Sequence, residues 1–240
     1  FLAELKKVIS ECFRVLVEGG RLCMVVGDIC LARKQGRHRV IPFHAHVIQL
    51  CLDAGFDYLA PIILYKISNV TTEAKRKTYA LGRYLGPNSI IKNDIEYVLI
   101  FRKPGKYRSV DNHTAALSRL EKHEFRELFR QVWWMNGCRV NHHPAPFSLD
   151  LAKRLIKMFS YVGDTVLDPF LGSGTTTLAA IYTFRNSIGY EVEHSYVELA
   201  KNRIKKALLR DKVPHRLING KNLTDGIFFQ VDGVSPRMLE

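Results

Sequence analysis

Two glycines one residue apart, Gly172 and Gly174, stand just after an acidic residue in the segment VLDPFLGSGTTT at positions 166–177. A glycine has no side chain to keep another group away from the backbone. A helix is predicted to start directly after Gly174, and the first amide groups of a helix have no partners within it. These features predict a loop that contacts a ligand through its main chain.

The class of ligand is predicted from what the loop lacks and from the acid that follows it. Thr177 replaces the third glycine of the dinucleotide-binding pattern G-x-G-x-x-G, and no lysine follows Gly174 as in a phosphate-binding P-loop. Glu191 ends the next predicted strand, where a carboxylate can accept hydrogen bonds from ribose hydroxyls. A ribose-bearing ligand without a phosphate at the loop fits best. The alternative is a tight turn followed by a solvated glutamate.

The elements around the loop alternate between helix and strand. Ser148 is a predicted helix cap, and Ser195 with Glu198 is a predicted capping box. The order strand, glycine loop, helix, strand, acid, helix predicts half of a nucleotide-binding α/β fold. The predicted elements are a helix from 148 to 163, a strand at 165–167, a helix at 175–184, a strand at 187–191 and a helix from 195.

The N-terminal part continues the alternation, which favours an α/β sheet. A polar and basic segment at 104–140 interrupts it. The predicted elements are a helix from Leu2 to Leu16, a strand at 21–29, a helix at 44–54, strands at 57–67 and 94–103, and a helix at 121–132 inside the polar segment.

Several of these segments together resemble a known family. His143-Pro144, a helix, VLDPFLGSGTTT, and IGYE followed by HSYVELAKNRI resemble the DNA amino-methyltransferases of the permuted beta class. FLAELKKVISECFRVLVEGGRLCMVVGD looks like the helix and strand that follow the family's catalytic loop, and NDIEYVLIFRKPG looks like a later core strand. The family methylates cytosine N4 or adenine N6 and uses S-adenosyl-L-methionine.

The resemblance implies a Rossmann-like, S-adenosylmethionine-dependent methyltransferase fold of the α/β class. It implies a mixed, mostly parallel sheet with helices on both faces, in permuted order. A single methyltransferase domain is expected over residues 1–240: a catalytic half at 1–103 that lacks its first motif, an insert or target-recognition region at 104–140, a cofactor-binding half at 141–220 and a tail at 221–240.

The resemblance also implies which residues hold the cofactor. The loop lines the pocket for the methionine part, Glu191 holds the ribose, and His143 with Pro144 packs beside the cofactor. A capping or buried histidine is the alternative for His143. Phe147 stands where many members have a lysine, which favours cytosine N4 as the target. The implied cofactor-binding residues are Asp168, Pro169, Phe170, Gly172, Ser173, Gly174, Thr175, Glu191, His143 and Pro144.

The family's catalytic loop, an Asp, Asn or Ser followed by Pro-Pro and an aromatic residue, is missing, because no Pro-Pro pair occurs in the chain. No capping residue precedes the helix at Leu2, so we expect the natural protein to begin earlier and to carry this loop before Phe1. A naturally shortened, inactive relative is the alternative. Asp28, at the end of a predicted strand, is a further catalytic candidate, with helix or turn capping as the alternative.

The net charge of +13 is concentrated in loops, which favours a nucleic-acid partner because each neutralised phosphate releases counterions. A solvated, soluble surface is the alternative interpretation of the charge, and the resemblance implies double-stranded DNA as the partner. The predicted DNA-binding residues are Arg33, Lys34, Arg37, Arg39, Lys75, Arg76, Lys77 and Arg83.

No apolar run approaches the ~20 residues that a membrane span needs, so no membrane partner is predicted. The five cysteines are odd in number and form no CxxC pair, as expected of reduced thiols in a cytoplasmic protein. His44, His46 and Cys51 lack a fourth ligand, so no metal is predicted. The oligomeric state stays open between a monomer and a homodimer.

The expected reaction moves a methyl group directly from sulfonium sulfur to an exocyclic amino nitrogen of a base that is flipped out of the duplex. Two other classes stay open. One is a catalytically incomplete DNA-binding relative, which would explain the missing loop. The other is a methyltransferase that acts on RNA or a small molecule, which would share the cofactor half.

Overall fold

The structure, a computed structural model, describes residues 1–31, 37–66, 87, 91, 93–135, 148–211, 216–219 and 229–232. The chain divides into two compact units. The first unit comprises Phe1–Arg108 and Phe129–Gly137, and the second comprises Ser109–Leu128 and Cys138–Glu240. The predicted insert at 104–140 is therefore shared between the two units.

The first unit is built on a five-stranded sheet. Its strands follow the order β1-β6-β5-β7, with β4 beside β6, and β2 and β3 form a separate hairpin. The elements are α1 (Leu2–Val15), β1 (Arg21–Val26), β2 (Ile29–Leu31), β3 (Arg39–Ile41), α2 (Phe43–Asp53), β4 (Asp57–Tyr58), β5 (Ile62–Lys66), β6 (Ile95–Arg102) and β7 (Val132–Met135).

The core of the first unit lies where the two helices cover the middle of this sheet. Val47 and Cys51 of α2 are fully buried against Leu99 and Phe101 of β6. Four consecutive residues of β6 are buried, and because successive side chains of a strand point to opposite faces, both faces of the sheet are covered at this strand. The predicted strand at 57–67 is split into β4 and β5 around Pro61, which has no amide hydrogen to donate.

The second unit has a four-stranded sheet in the order β10-β11-β9-β8. Three helices of this unit pack on one another through small and branched residues, with Ala152 of α5 against Ala179 of α6, and Leu178 of α6 against Ile204 of α7. The elements are α3 (Asn112–Leu117), α4 (Lys122–Leu128), α5 (Leu149–Phe159), β8 (Thr165–Asp168), α6 (Thr175–Tyr182), β9 (Asn186–Gly189), α7 (His194–Asp211), β10 (Arg216–Asn219) and β11 (Phe229–Asp232).

The α/β class and the mixed strand directions are confirmed, but parallel pairs do not dominate. Among the described strands only β5–β7 and β8–β9 are parallel, and the other pairings are antiparallel. An apolar run identifies a strand but does not encode its direction relative to a neighbour that is distant in sequence. β8 and β1 each pair with one neighbour within the described residues.

The observed helix ends confirm one capping prediction and contradict another. Ser148 Oγ accepts a hydrogen bond from Leu151 N at 3.4 Å, as predicted, and α1 begins at Leu2 without a side-chain cap. The capping box at Ser195 is wrong, because α7 begins at His194 and Ser195 N donates to Glu193 Oε1 at 3.1 Å. The helix at 121–132 is also wrong in length, since α4 ends at Leu128. No helix in the described part of the chain is long and apolar enough to cross a membrane.

Candidate cofactor site

The glycine loop lies where two parallel strands end together. β8 and β9 are in register, with Asp168 opposite Gly189. The ladder continues past the strands, since Tyr190 N donates to Asp168 O at 3.0 Å and Leu171 N donates to Tyr190 O at 2.8 Å. The carboxyl ends of adjacent parallel strands are where α/β sheets bind ligands. This pairing brings Glu191 beside the loop, as the sequence predicts.

Glu191 is hydrogen-bonded to the loop as well as to its own segment. Its Oε2 accepts a hydrogen bond from Gly172 N at 2.8 Å, and its Oε1 accepts from Val192 N and Glu193 N, each at 2.9 Å. These three bonds fix the orientation of the carboxylate. A carboxylate offers about four lone-pair sites, so Glu191 retains acceptor capacity for a ligand hydroxyl.

Asp168 turns back over the start of the loop. Its Oδ1 accepts a hydrogen bond from Phe170 N at 2.9 Å. Burial raises the pKa of Asp168, and the nearby Glu191 carboxylate raises this pKa further, against the lowering effect of a hydrogen bond from Thr176. The site therefore holds two interacting carboxyl groups.

Gly174 lies at the start of α6 and packs against α7. It is the N-cap of α6, with a left-handed φ of 76° and no side chain to cap the helix. A Cβ at this position would lie 3.1 Å from Ala200 Cβ and 3.3 Å from Ile204 Cδ1. The missing side chain thus leaves room for α7, and contact of Gly174 with a ligand stays a prediction.

Arg203, which is also on α7, contacts the glycine loop. Its Nη1 donates to Ser173 O at 3.1 Å, to Ser173 Oγ at 2.9 Å and to Thr175 Oγ1 at 2.8 Å. Sequence reasoning did not identify Arg203. The helical spacing could have identified it, because Arg203 falls between Ala200 and Ile204 on the buried face of α7.

Exposed apolar side chains follow the carboxyl ends of both strands. Phe170 is 59% exposed, although it follows the partly buried Asp168 and Pro169. Val192, the residue after Glu191, is 81% exposed. Large apolar side chains in solvent next to convergent polar groups are typical of a ligand site.

The structure brings most of the predicted cofactor residues together. Glu191 is hydrogen-bonded to Gly172, Asp168 is hydrogen-bonded to Phe170, and Ser173 and Thr175 bind Arg203. His143 and Pro144 lie outside the described residues, as does Phe147.

Asp28 shows the capping geometry. It follows β1, and its Oδ1 accepts from His44 N at 3.2 Å and lies 2.7 Å from His44 Nδ1. His44 is in the first turn of α2, and its ring stacks on Tyr97 with centroids 4.3 Å apart. Asp28 therefore caps α2, and a catalytic role for Asp28 stays a prediction.

The predicted DNA-binding residues fall largely outside the described part of the chain. Arg37 and Arg39 are described, and both are exposed on the hairpin segment that ends in β3. The remaining members lie outside the described residues: Arg33, Lys34, Lys75, Arg76, Lys77 and Arg83.

Comparison with known proteins gives concordant matches. A family model described as DNA methylase matches residues 1–202. A protein of Thermus thermophilus, assigned as a DNA modification methylase and solved in complex with S-adenosyl-L-methionine, is 44% identical, with a TM-score of 0.75 over 89% of this chain and 78% of that one.

Two curated relatives are type II methyltransferases. M.MjaI of Methanocaldococcus jannaschii is 39% identical over 81% of this chain and 64% of its own length. M.MthZI of Methanothermobacter thermautotrophicus is 37% identical over 90% of this chain and 62% of its own length. The chain thus spans less than two thirds of either relative.

Proposed function

Because this chain belongs to the DNA methylase family of N6 and N4 methyltransferases, we propose that the protein transfers a methyl group from S-adenosyl-L-methionine to an exocyclic amino group of a base in double-stranded DNA. Cytosine N4 and adenine N6 are the two candidate nitrogens. Cytosine N4 is the first to test, because Phe147 replaces the lysine that many family members have.

The observation that best supports this proposal is the hydrogen bond between Glu191 and the glycine loop. Glu191 Oε2 accepts from Gly172 N at 2.8 Å, so the loop after β8 and the acid after β9 lie directly beside each other. A ligand that carries both a ribose and an amino-acid part can contact the acid and the loop at the same time. S-adenosyl-L-methionine has both parts.

The residues present fit this cofactor. The amide groups that open α6 receive no side-chain cap from Gly174 and carry the positive end of the helix dipole, which suits the methionine carboxylate. Glu191 would accept a hydrogen bond from a ribose hydroxyl. Asp168 and Phe170 would line the methionine side of the pocket. When bound, the cofactor supplies an electrophilic methyl group on a positively charged sulfur.

The chain's own residues would contribute binding and orientation. An exocyclic amino nitrogen is a poor nucleophile because its lone pair is delocalised into the ring. Duplex DNA also hides this nitrogen, so the base must leave the stack before transfer. Holding both reactants in one water-excluded pocket lowers the barrier by removing translational freedom before the reaction. Positive charge on exposed residues such as Arg37 and Arg39 would bind the phosphates.

The experiment uses the full-length protein. Calorimetric titration with S-adenosyl-L-methionine should give one site, and labelled methyl groups should enter duplex DNA in preference to RNA or free nucleosides. Digestion of the product and mass spectrometry would then distinguish N4-methylcytosine from N6-methyladenine. Methylation of RNA or of nucleosides alone would identify the small-molecule or RNA alternative. DNA binding without any cofactor binding would identify the non-catalytic relative.

A further inference from the structure

Arg203 is placed to shape the glycine loop rather than to touch a ligand. The acceptors of its Nη1 belong to Ser173 and Thr175, the two residues on either side of Gly174. Nη1 carries two hydrogens, so at least one of them is shared between two of the three oxygens. A single nitrogen therefore spans the bend at which α6 begins.

The apolar neighbours of Arg203 act on the same bend. Ala200 and Ile204, which flank Arg203 on the helix face, occupy the space beside Gly174. On the loop's other flank, Glu191 holds Gly172 through its amide. Residues 172–175 are therefore held at each position, and α7 supplies the larger share of the contacts.

A charged group is costly at this position. Arg203 is partly buried, and burial lowers the pKa of its guanidinium. A buried charge is tolerated when hydrogen-bond acceptors satisfy its donors. An apolar side chain would pack beside Ala200 and Ile204 without this cost. The guanidinium does what an apolar side chain cannot do, because it binds oxygens of both loop residues.

Arg185 offers an internal comparison. It is a buried arginine of the same unit, and it donates to Ser160 O at 2.7 Å, to Ser160 Oγ at 3.1 Å and to Thr183 O. These contacts lie at the amino ends of β8 and β9, opposite to the glycine loop. Arg185 thus ties the unit together at the end away from the candidate site.

We propose that Arg203 is a positioning residue, whose guanidinium holds the glycine loop in the conformation that receives S-adenosyl-L-methionine. This inference rests on the proposed function. It assigns to α7 a part in cofactor affinity in addition to its part in the core. Arg203 does not contact the cofactor; it acts through Ser173 and Thr175.

The first experiment compares Arg203→Met with Arg185→Met in the full-length protein. Calorimetry measures the Kd for S-adenosyl-L-methionine, and thermal unfolding measures stability. Arg203→Met should raise the Kd about tenfold to a hundredfold, the usual effect of losing hydrogen bonds to a charged group. Its kcat at saturating cofactor should change much less than its KM. Arg185→Met should lower the Tm and leave the Kd unchanged.

A double-mutant cycle with Thr175→Val tests whether the effect passes through the loop. Thr175→Val should weaken binding, and Arg203→Met should cost less in its presence, because one hydrogen bond is then already absent. Arg203→Lys should restore part of the affinity by reaching a single acceptor. If Arg203→Met does not fold, the Thr175→Val and Arg203→Lys variants carry the test.

Two outcomes would overturn the inference. Wild-type binding together with an unchanged Kd in Arg203→Met, or strict additivity in the cycle, would reduce Arg203 to a purely structural residue and leave the proposed function intact. Absence of cofactor binding by the wild-type protein would overturn the proposed function, and the positioning role with it.

Discussion

At Gly174 two constraints act on one residue. Its φ is 76°, in the left-handed region, and α7 leaves a Cβ only 3.1 Å from Ala200 Cβ. Gly163 shares the first constraint alone, since its φ is 84° and nothing lies within 4 Å of a Cβ there. The two glycines therefore separate backbone strain from crowding.

Gly174→Ala is expected to be more damaging than Gly163→Ala. Gly163→Ala, the control, should lose about 1 kcal/mol of unfolding free energy from backbone strain alone. Gly174→Ala should lose about 1–3 kcal/mol more, since overpacking adds to the strain, and it should bind S-adenosyl-L-methionine more weakly. Urea unfolding and calorimetry measure both quantities. Equal losses in the two variants would show that crowding by α7 has no effect.

The Glu191→Gln variant tests the role of the carboxylate, because glutamine has nearly the same shape as glutamate. The amide has one acceptor oxygen, so it cannot accept from Gly172 N and from the Val192 and Glu193 amides at once. We expect cofactor binding to weaken by about 1.5–3 kcal/mol, the range for hydrogen bonds to a charged acceptor, with a smaller change in stability. The control is Glu198→Gln, on an exposed pair with Lys201 in the same unit. Unchanged affinity would remove Glu191 from the site.

The raised pKa of Asp168 predicts the direction in which the stability of an Asp168 variant changes with pH. Burial and then Glu191 raise the pKa of its carboxyl, so folding favours the protonated form. Its contribution to stability falls as the pH rises from the unfolded pKa of about 3.9 through the higher folded pKa, and is constant above it. Asp168→Asn should therefore become more stable relative to the wild type as the pH rises through this window.

Asp111→Asn is the control of opposite sign. Hydrogen bonds from the Thr114 hydroxyl and the Thr114 amide lower the pKa of Asp111, so its stabilising effect is lost as the pH falls. Urea unfolding of both variants and the wild type from pH 3 to pH 8 measures the two differences. Parallel curves for the two variants would contradict the assignment at Asp168.

At the scale of elements, the end of α1 depends on a lysine from a distant strand segment. Lys103 Nζ donates to Phe13 O at 2.7 Å and to Leu16 O at 2.8 Å, and it lies 4.9 Å from the centre of the Phe13 ring. The last carbonyls of a helix have no partners within it, and a cation there also interacts favourably with the helix dipole. Lys103 thus links the C-terminal end of α1 to the segment after β6 through hydrogen bonds.

Lys103→Met should lower the unfolding free energy by about 1–2 kcal/mol, because the helix carbonyls lose a charged donor. Lys7→Met is the matched control on the same helix, since Lys7 makes an exposed pair with Glu4 at 2.9 Å. Its loss should stay below about 0.5 kcal/mol. Chemical denaturation measures both, and similar losses would refute the capping role.

At the scale of the whole molecule, the net charge of +13 has to act through particular residues. Arg37 and Arg39 are exposed, just before β3 and at its first residue, and they belong to a basic cluster without an acid. Such residues are expected to contribute to affinity for DNA through counterion release, whatever the base sequence.

Replacing both Arg37 and Arg39 by Gln should flatten the plot of log K against log salt concentration for duplex DNA by about 0.9 for each phosphate that is no longer neutralised. Fluorescence anisotropy at several salt concentrations measures the slope. Lys7→Gln, which removes a cation already paired with Glu4, should leave the slope nearly unchanged. A slope that is unaltered in the double variant would place the two arginines off the interface.

The local parts of this protein follow from local residues. Alternating apolar patterns locate the helices and strands, and the glycine loop with Glu191 predicts the site, because each depends on neighbours in sequence. Proximity of Glu191 to the loop also follows, since parallel strands end at one edge. The ends of α4 and α7 were misplaced, because helix termini depend on the caps that tertiary contacts make available.

The sequence by itself determined the class of fold, the position of the loop and the acid that faces it. Only the tertiary structure decided the strand directions, the packing of α7 against Gly174 and the attachment of the loop by Arg203. The physical reason is distance along the chain: Arg203 lies far from Ser173 in sequence, and no periodicity encodes which helix face will meet which loop. That choice is made by the packing of the unit as a whole.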